Sequence, residues 1–157
     1  MVKIGFCQSV FQRYGSQDLI DIYSLYTRSN LEYCSVVWHS TLTVQQTTAI
    51  ERVQKLCLKV ILGSDYNGYE HALEICGLEK LTDRREARCL KFGLKSLLHP
   101  VHCNLFPVNP SILADYNDTP NREHFQVNWA RTDSYRMSAI PYMQRLLNNY
   151  VKKQNKL

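Results

Sequence analysis

The sequence lacks long hydrophobic runs and paired cysteines. No stretch of about 18 apolar residues occurs, so we expect no membrane span. The six cysteines are spread along the chain without a C-x-x-C pair. Lys3, Gly5 and Gln8 interrupt the first residues, where a secretory signal would be apolar. These absences predict an intracellular protein, nuclear or cytoplasmic, whose thiols are reduced.

The common catalytic motifs are also missing. The chain has no Asp-Asp pair, no phosphate-binding G-x-x-x-x-G-K-S/T loop and no H-E-x-x-H helix. His99, His102 and Cys103, with Cys89 upstream, could be considered as zinc ligands, but the paired ligand spacing of zinc sites is absent. The sequence therefore predicts no catalytic residue, no metal and no cofactor in this chain.

The composition suits one folded domain, or a small domain with a tail. Of the 157 residues, 45% are hydrophobic and 21% are charged, which is ordinary for a globular protein. The formal net charge is +5, from 19 Lys and Arg against 14 Asp and Glu. This balance is compatible with a nucleic-acid partner, but it is also common in proteins that bind none.

The spacing of apolar residues predicts a mainly α-helical fold, with consecutive helices from residue 16 to residue 98. Ser16 can cap the first helix. The segment from Leu31 to Trp38 is apolar and aromatic, and we expect it to be buried between helices, although its β-branched residues leave a short strand open. The predicted inward positions of the first helix are Leu19, Ile22, Leu25 and Tyr26.

The clearest predicted helix covers residues 43–62. Thr43 and Gln46 form a T-x-x-Q capping box, and Gly63 supplies the stop. One face is apolar and three cations lie together on another. The apolar positions are Ala49, Ile50, Val53, Leu56, Cys57, Val60 and Ile61, and the cations are Arg52, Lys55 and Lys59.

Two more helices are predicted, one over residues 69–76 that Gly77 ends and one from Thr82 or Asp83 to Leu98. Ala87, Leu90, Leu94, Leu97 and Leu98 are expected inward. The second helix carries cations spaced four, three and four residues apart, which places them in one line. Such a line can follow a phosphate backbone or can be an ordinary solvated face. It consists of Arg84, Arg88, Lys91 and Lys95, with Arg85 beside it.

The C-terminal third has a different character. Pro107, Pro110 and Pro120, with several asparagines, indicate a loop or linker. A terminal helix follows over residues 138–150, with Pro141 in its first turn. The sequence therefore predicts a small helical domain at 1–105, and a Pro/Asn-rich linker with a C-terminal helix at 106–157.

The aromatic residues allow two interpretations. Ten tyrosines and two tryptophans could stack on nucleic-acid bases. Tyr23, Tyr26, Tyr33 and Trp38, however, lie within apolar segments, so we expect them in the core.

An ordered series of short blocks runs through most of the chain and resembles the region just downstream of the polymerase core in jockey-type reverse transcriptases of non-LTR (LINE-class) retrotransposons. Tail blocks continue the series after the helices. The blocks include Arg28-Ser29, Leu31-Glu32-Tyr33, Val37-Trp38-His39-Ser40, Glu51-Arg52-Val53-Gln54-Lys55, Val60-Ile61-Leu62-Gly63, Leu78-Glu79-Lys80-Leu81, Arg84-Arg85, Ala130-Arg131-Thr132, Tyr135-Arg136, Ser138-Ala139-Ile140-Pro141 and Gln144-Arg145-Leu146-Leu147-Asn148.

The resemblance implies a helical thumb that has lost its palm. In that family two palm aspartates of an F/Y-x-D-D turn bind Mg²⁺ and carry out polymerisation. This sequence has no such turn, so no catalytic residue carries over, and the Mg²⁺ belongs to the missing palm of the parent enzyme. The chain is then not an enzyme by itself but the C-terminal fragment of an RNA-directed DNA polymerase.

The resemblance also implies partners. A thumb grips the backbone of the RNA/DNA primer–template duplex, and Tyr33 and Trp38 would be scaffold residues that seat it against the palm. Without the palm, an apolar surface near Tyr23, Leu31 and Val36 would favour self-association. The implied backbone contacts are Arg84, Arg85, Arg88, Lys91, Lys95, Arg52, Lys55 and Lys59.

An alternative stays open at this point. The chain could be a stand-alone helical module that binds nucleic acid or another protein without any link to polymerisation.

Overall fold

The computed structural model describes residues 15–113 and 123–154, and these are mainly α-helical, as predicted. Pro120 of the predicted linker and residues 155–157 of the tail lie outside the described residues. None of the described helices is long and apolar enough to cross a bilayer. The helices are α1 (Ser16–Ile22), α2 (Ser29–Leu31), α3 (Ser35–Trp38), α4 (Val44–Leu62), α5 (Tyr69–Cys76), α6 (Leu81–Leu97), α7 (Pro110–Leu113), α8 (Asp133–Arg136) and α9 (Ala139–Gln154).

The chain forms two compact units. Of the described residues, the first unit comprises 15–33 and Thr43–Arg84, and the second comprises Cys34–Leu42, 85–113 and 123–154. The predicted division at residue 105 refers to a thumb and its tail, and it stays a prediction.

Helix α1 begins at Ser16, but its cap differs from the predicted one. The N–H of Gly15 donates to the Asp18 carboxylate at 3.1 Å, and Ser16 is already helical. A π-helical segment, Tyr23–Arg28, follows α1 and has more residues per turn than an α-helix. The predicted spacing therefore fails there: Tyr23 is buried, whereas Ile22, Leu25 and Tyr26 are exposed.

Helix α4 has the predicted ends. The N–H of Gln46 donates to Thr43 Oγ1 at 3.2 Å, and the N–H of Thr43 donates to Gln46 Oε1 at 2.9 Å. Gly63 ends the helix at a φ of 54°, a region that glycine tolerates best. The predicted apolar face is buried only in part. Ile61 is buried and Cys57 is half-buried, as that face requires, but Gln54 and Leu58 are buried in place of Val53, Leu56 and Val60.

The core of the first unit lies between α4 and α5, with α1 and the π-helical segment packed on it. Its buried residues are Tyr23, Leu58, Ile61, Ala72, Leu73 and Cys76. Helix α5 has the predicted bounds and ends at Gly77, whose φ is 60°.

Glu51 of α4 joins three helices of the first unit. Its carboxylate accepts hydrogen bonds from the Thr82 N–H at 2.7 Å, the Thr82 hydroxyl at 2.8 Å and the Tyr69 hydroxyl at 2.6 Å. Thr82 lies in the first turn of α6, where backbone N–H groups have no partner within the helix. Burial and the bond to Glu51 together raise the pKa of Tyr69.

The segment between α2 and α4 is less buried than predicted, and it forms no strand. Cys34 has a φ of 50°, which separates α2 from α3. Tyr33 and Val37 are exposed, whereas the polar Glu32 and Ser35 are buried. The expected core position of Tyr33 is therefore wrong in this structure.

The core of the second unit lies between α6 and α9. Its buried residues are Cys89, Phe106, Phe125, Met143 and Leu147. A Cβ added at Gly93 would lie 3.3 Å from Leu147 Cδ1, so glycine permits this close approach. Ala87 and Leu98, predicted inward, are exposed.

Two buried amides of α9 hold the segments that the sequence presents as a linker. Asn148 accepts from the Phe125 N–H at 2.7 Å and donates to the Phe125 carbonyl at 2.9 Å. Gln144 donates to the Leu105 carbonyl at 2.8 Å and accepts from the Asn128 N–H at 2.9 Å. Both ends of the predicted linker are therefore packed. Proline at position 141 lies in the first turn of α9, as predicted.

Candidate nucleic-acid interface

Three of the four cations in the predicted line on α6 are exposed to solvent. Arg88, Lys91 and Lys95 all belong to the second unit. They lie at spacings of three and four residues on one continuous helix, so their side chains leave from the same side. A polyanion can reach all three at once.

Arg84, the fourth residue of the line, is held within the first unit. Its Nε donates to Glu32 Oε1 at 2.8 Å, and a second nitrogen lies 3.4 Å from Oε2. Glu32 is almost completely buried, and Glu79 lies 3.7 Å from the same guanidinium. The hydrogen bond to Glu32 raises the pKa of Arg84. Arg84 therefore neutralises a buried carboxylate, which limits its use as a phosphate contact.

Arg85 is completely buried in the second unit, so it is not accessible to a phosphate backbone. Its guanidinium carbon lies 5.8 Å from the centroid of the Trp38 ring. Its Nε donates to His39 Nδ1 at 3.4 Å. We therefore correct the expectation for Arg85: this side chain is a packing residue.

The protonation state of His39 suits its contact with Arg85. Burial lowers its pKa, and the positive charge of Arg85 lowers it further, which favours a neutral ring that accepts at Nδ1. On another side, its ring meets Tyr142 edge-on, with centroids 5.7 Å apart. Trp38 is half-buried beside Arg85, so it is less buried than the core position predicted for it. Its predicted role against a palm stays a prediction.

The two neighbouring arginines thus join blocks that lie far apart in the sequence. Arg84 bonds to Glu32 of the Leu31-Glu32-Tyr33 block, and Arg85 packs on Trp38 and His39 of the following block. Sequence reasoning missed the role of Glu32, since a single acidic residue in an apolar segment gave no hint of its partner. For Arg85 a signal existed, because it lies four residues from both Leu81 and Cys89 on the buried face.

The second predicted group of cations lies on α4 in the first unit. Arg52, Lys55 and Lys59 are all exposed, as predicted. Lys55 lies over the Tyr69 ring, with its Nζ 4.7 Å from the centroid. The predicted set is therefore divided between the units, with α4 and Arg84 in one and the remaining α6 cations in the other.

The apolar surface predicted near Tyr23, Leu31 and Val36 is less exposed than expected. Tyr23 is buried, and Leu31 and Val36 are half-buried. Larger exposed apolar side chains occur at Leu25 and on α4. Self-association through any of them stays a prediction.

No metal centre can be built from the described residues. Within 15–113 and 123–154, no group of three or more His, Cys, Asp or Glu side chains is placed to hold an ion. The rings of His99 and His102 stack on each other, with centroids 4.1 Å apart. Cys89, the possible upstream ligand, is buried in the core, where burial raises its pKa to about 11.

The chain was compared with protein-family models, with curated proteins and with solved structures, and none of them matched.

Proposed function

We propose that this chain is the C-terminal, thumb-like part of a retrotransposon reverse transcriptase that contacts the backbone of a primer–template duplex. Polymerisation would require the palm aspartates and their Mg²⁺, which this sequence does not encode. The contribution of this chain is then to hold the duplex, and the residues that do so are Arg88, Lys91 and Lys95.

The observation that carries the proposal is the exposed line of three cations on one helix. From Arg88 to Lys95 the line extends about 10 Å along the axis, at 1.5 Å per residue. That length matches about three base steps of a duplex, at about 3.4 Å per step. A rigid helix that presents cations at this spacing can bind a backbone without reading the base sequence.

The arginine pair supports the polymerase origin. The resemblance rests on an ordered series of blocks, and the contacts of Arg84 and Arg85 connect three of those blocks physically. This gives a structural reason for the blocks to occur together in one chain.

The proposal is tested by measuring the affinity for an RNA–DNA primer–template duplex as a function of salt. We expect binding at low salt whose logarithm falls linearly with the logarithm of the salt concentration. The triple variant Arg88→Ala, Lys91→Ala, Lys95→Ala should lower the magnitude of that slope by up to about 3, at about 0.9 per lost phosphate contact.

A matched control removes the same three charges elsewhere. Lys80→Ala, Arg131→Ala and Arg136→Ala together leave the α6 line intact, so this variant should keep most of the wild-type slope. An equal loss in both variants would mean that net charge alone governs binding. That result, or no binding at low salt, would overturn the proposed contact.

A second candidate function is a stand-alone interaction module, and one observation favours it. Helix α4 exposes Val53, Leu56 and Val60 to solvent, which is unusual for an apolar helix face.

A further inference from the structure

The buried face of helix α4 does not coincide with the apolar face of its sequence. The apolar positions of its sequence centre on Val53, Leu56, Cys57 and Val60, whereas the buried positions are Gln54, Leu58 and Ile61. At 100° per residue the two centres differ by about a third of a turn. Part of the apolar face therefore points into solvent.

A polar residue fixes this orientation. Gln54 is completely buried, and its Nε2 donates to the carbonyl of Glu79 at 2.9 Å. Rotation of α4 to bury its apolar face would expose Gln54 and break this bond. The exposed fractions that result are 37% at Val53, 63% at Leu56 and 45% at Val60.

The exposed positions have the spacing of a coiled-coil seam. Ala49, Val53, Leu56 and Val60 are separated by four, three and four residues, which corresponds to heptad positions d, a, d and a. Valine at a and leucine at d is the combination that two-stranded coiled coils prefer. We call these four residues the α4 seam.

The border of the seam is positively charged. Arg52 and Lys59 occupy the g positions, which flank an a/d seam, and both are exposed. Glu51 is the acidic residue of α4, and it is engaged by Thr82 and Tyr69. The exposed border of the seam therefore presents cations, while the carboxylate of α4 is hydrogen-bonded within the first unit.

This charge identifies the kind of partner. Two copies of α4 in antiparallel packing would bring g cations against each other, and in parallel packing those cations would face the uncharged e positions Ile50 and Cys57. Neither arrangement gives Arg52 or Lys59 an acidic partner. A membrane surface suits a broader apolar face than a strict a/d seam. A helix with acidic residues beside its own apolar seam complements both the shape and the charge.

We propose that the α4 seam binds a single amphipathic helix of a partner protein, with apolar residues at its a and d positions and glutamate or aspartate beside them. Apolar burial along Val53, Leu56 and Val60 supplies the affinity, and Arg52 and Lys59 select the acidic partner. The proposal does not depend on a polymerase origin.

The test uses the full chain and two labelled model helices of about three heptads. Both carry leucine at a and d, and they differ in having glutamate or lysine at e and g. Fluorescence anisotropy should show binding of the glutamate helix and little binding of the lysine helix. Leu56→Asp should weaken the binding of the glutamate helix about tenfold or more, since the substitution places a charge in the seam.

Two further variants make the test specific. Ile75→Asp changes an exposed apolar residue of α5 outside the seam and should leave the affinity unchanged. The double reversal Arg52→Glu, Lys59→Glu should exchange the preference, so that the lysine helix binds better. Circular dichroism establishes that each variant is folded.

Several results would overturn the proposal. These are equal binding of both helices, no binding of either, or binding that Leu56→Asp leaves unchanged. Sedimentation could show that the chain alone self-associates and that Leu56→Asp abolishes this association. That result would assign the seam to a second copy of the chain. Leu56-dependent binding to phosphatidylserine vesicles, without peptide binding, would assign the seam to a membrane.

Leu56→Asp should not change the salt dependence of duplex binding, so the seam proposal and the duplex-binding proposal fail independently.

Discussion

Arg84 and Arg85 are neighbours in sequence, yet their side chains meet different surroundings. One helical step rotates the side chain by about 100°, so Arg84 faces Glu32 while Arg85 enters the core beside Trp38. Local spacing predicted that Arg84 shares a line with Arg88. It could not predict Glu32, because that partner lies 52 residues away in sequence and becomes a neighbour only after folding.

Removal of Arg84 should destabilise the first unit strongly. Arg84→Ala leaves the buried carboxylate of Glu32 without its main cation, which costs about 3 kcal/mol in the free energy of unfolding. Urea denaturation followed by circular dichroism measures this cost.

The matched control is Lys80→Ala. Lys80 pairs with Glu70 at 2.8 Å, but its side chain is 42% exposed and that of Glu70 is 70% exposed, so loss of this pair should change stability little. If Arg84→Ala were as mild as Lys80→Ala, the assigned importance of the Glu32 contact would be wrong.

His39 should make stability depend on pH. Its pKa in the folded chain is lowered by burial and by Arg85, so the unfolded chain binds the proton more readily. Stability should therefore be complete above about pH 6.5, the ordinary pKa of histidine, and should decrease as the pH falls below it.

The measurement is urea denaturation at about pH 7.5 and about pH 5.5, on either side of that pKa. His39→Gln keeps an acceptor for Arg85 but cannot take up the proton, so it should lose less stability on acidification than the wild type. His71→Gln changes an exposed histidine of α5 and should retain the wild-type loss. Equal losses in all three proteins would contradict the assignment.

At the scale of the helices, ends were easier to predict than faces. The capping box of Thr43 and Gln46, and the stops at Gly63 and Gly77, depend on residues close in sequence, and the structure confirms them. The buried face of α4 depends on the bond between Gln54 and Glu79, which are 25 residues apart. Hydrophobic spacing alone assigns Gln54 to the surface, and so the predicted face agrees with the buried one only in part, at Ile61.

Helix α9 illustrates the same limit for the predicted linker. The proline and asparagine content of the linker indicated a loop. In the structure, however, the buried Asn148 of α9 hydrogen-bonds both the N–H and the carbonyl of Phe125, which lies in that linker. Asn148→Ala should leave two buried groups unpaired and lower the free energy of unfolding by roughly 2–4 kcal/mol. Urea denaturation tests this, with Asn149→Ala, an exposed neighbour on α9, as the control. Similar effects of the two substitutions would argue against the interior bonds.

At the scale of the whole molecule, the helical class followed from hydrophobic spacing, and the structure confirms it. The spacing of the cations predicted only part of the candidate interface. Arg88, Lys91 and Lys95 are exposed as predicted, while Arg85 is buried and Arg84 is engaged. A cation on a surface helix and one that neutralises a buried acid look identical in sequence, because the difference lies in what folding places beside them.

The polymerase origin is tested most directly by sequencing the transcript upstream of the Met1 codon. The account predicts coding sequence for a palm with an F/Y-x-D-D turn. If that sequence is in frame, the chain is part of a polymerase; if stop codons intervene, it is a remnant that only binds. An upstream sequence that encodes no such turn in any frame would contradict the account.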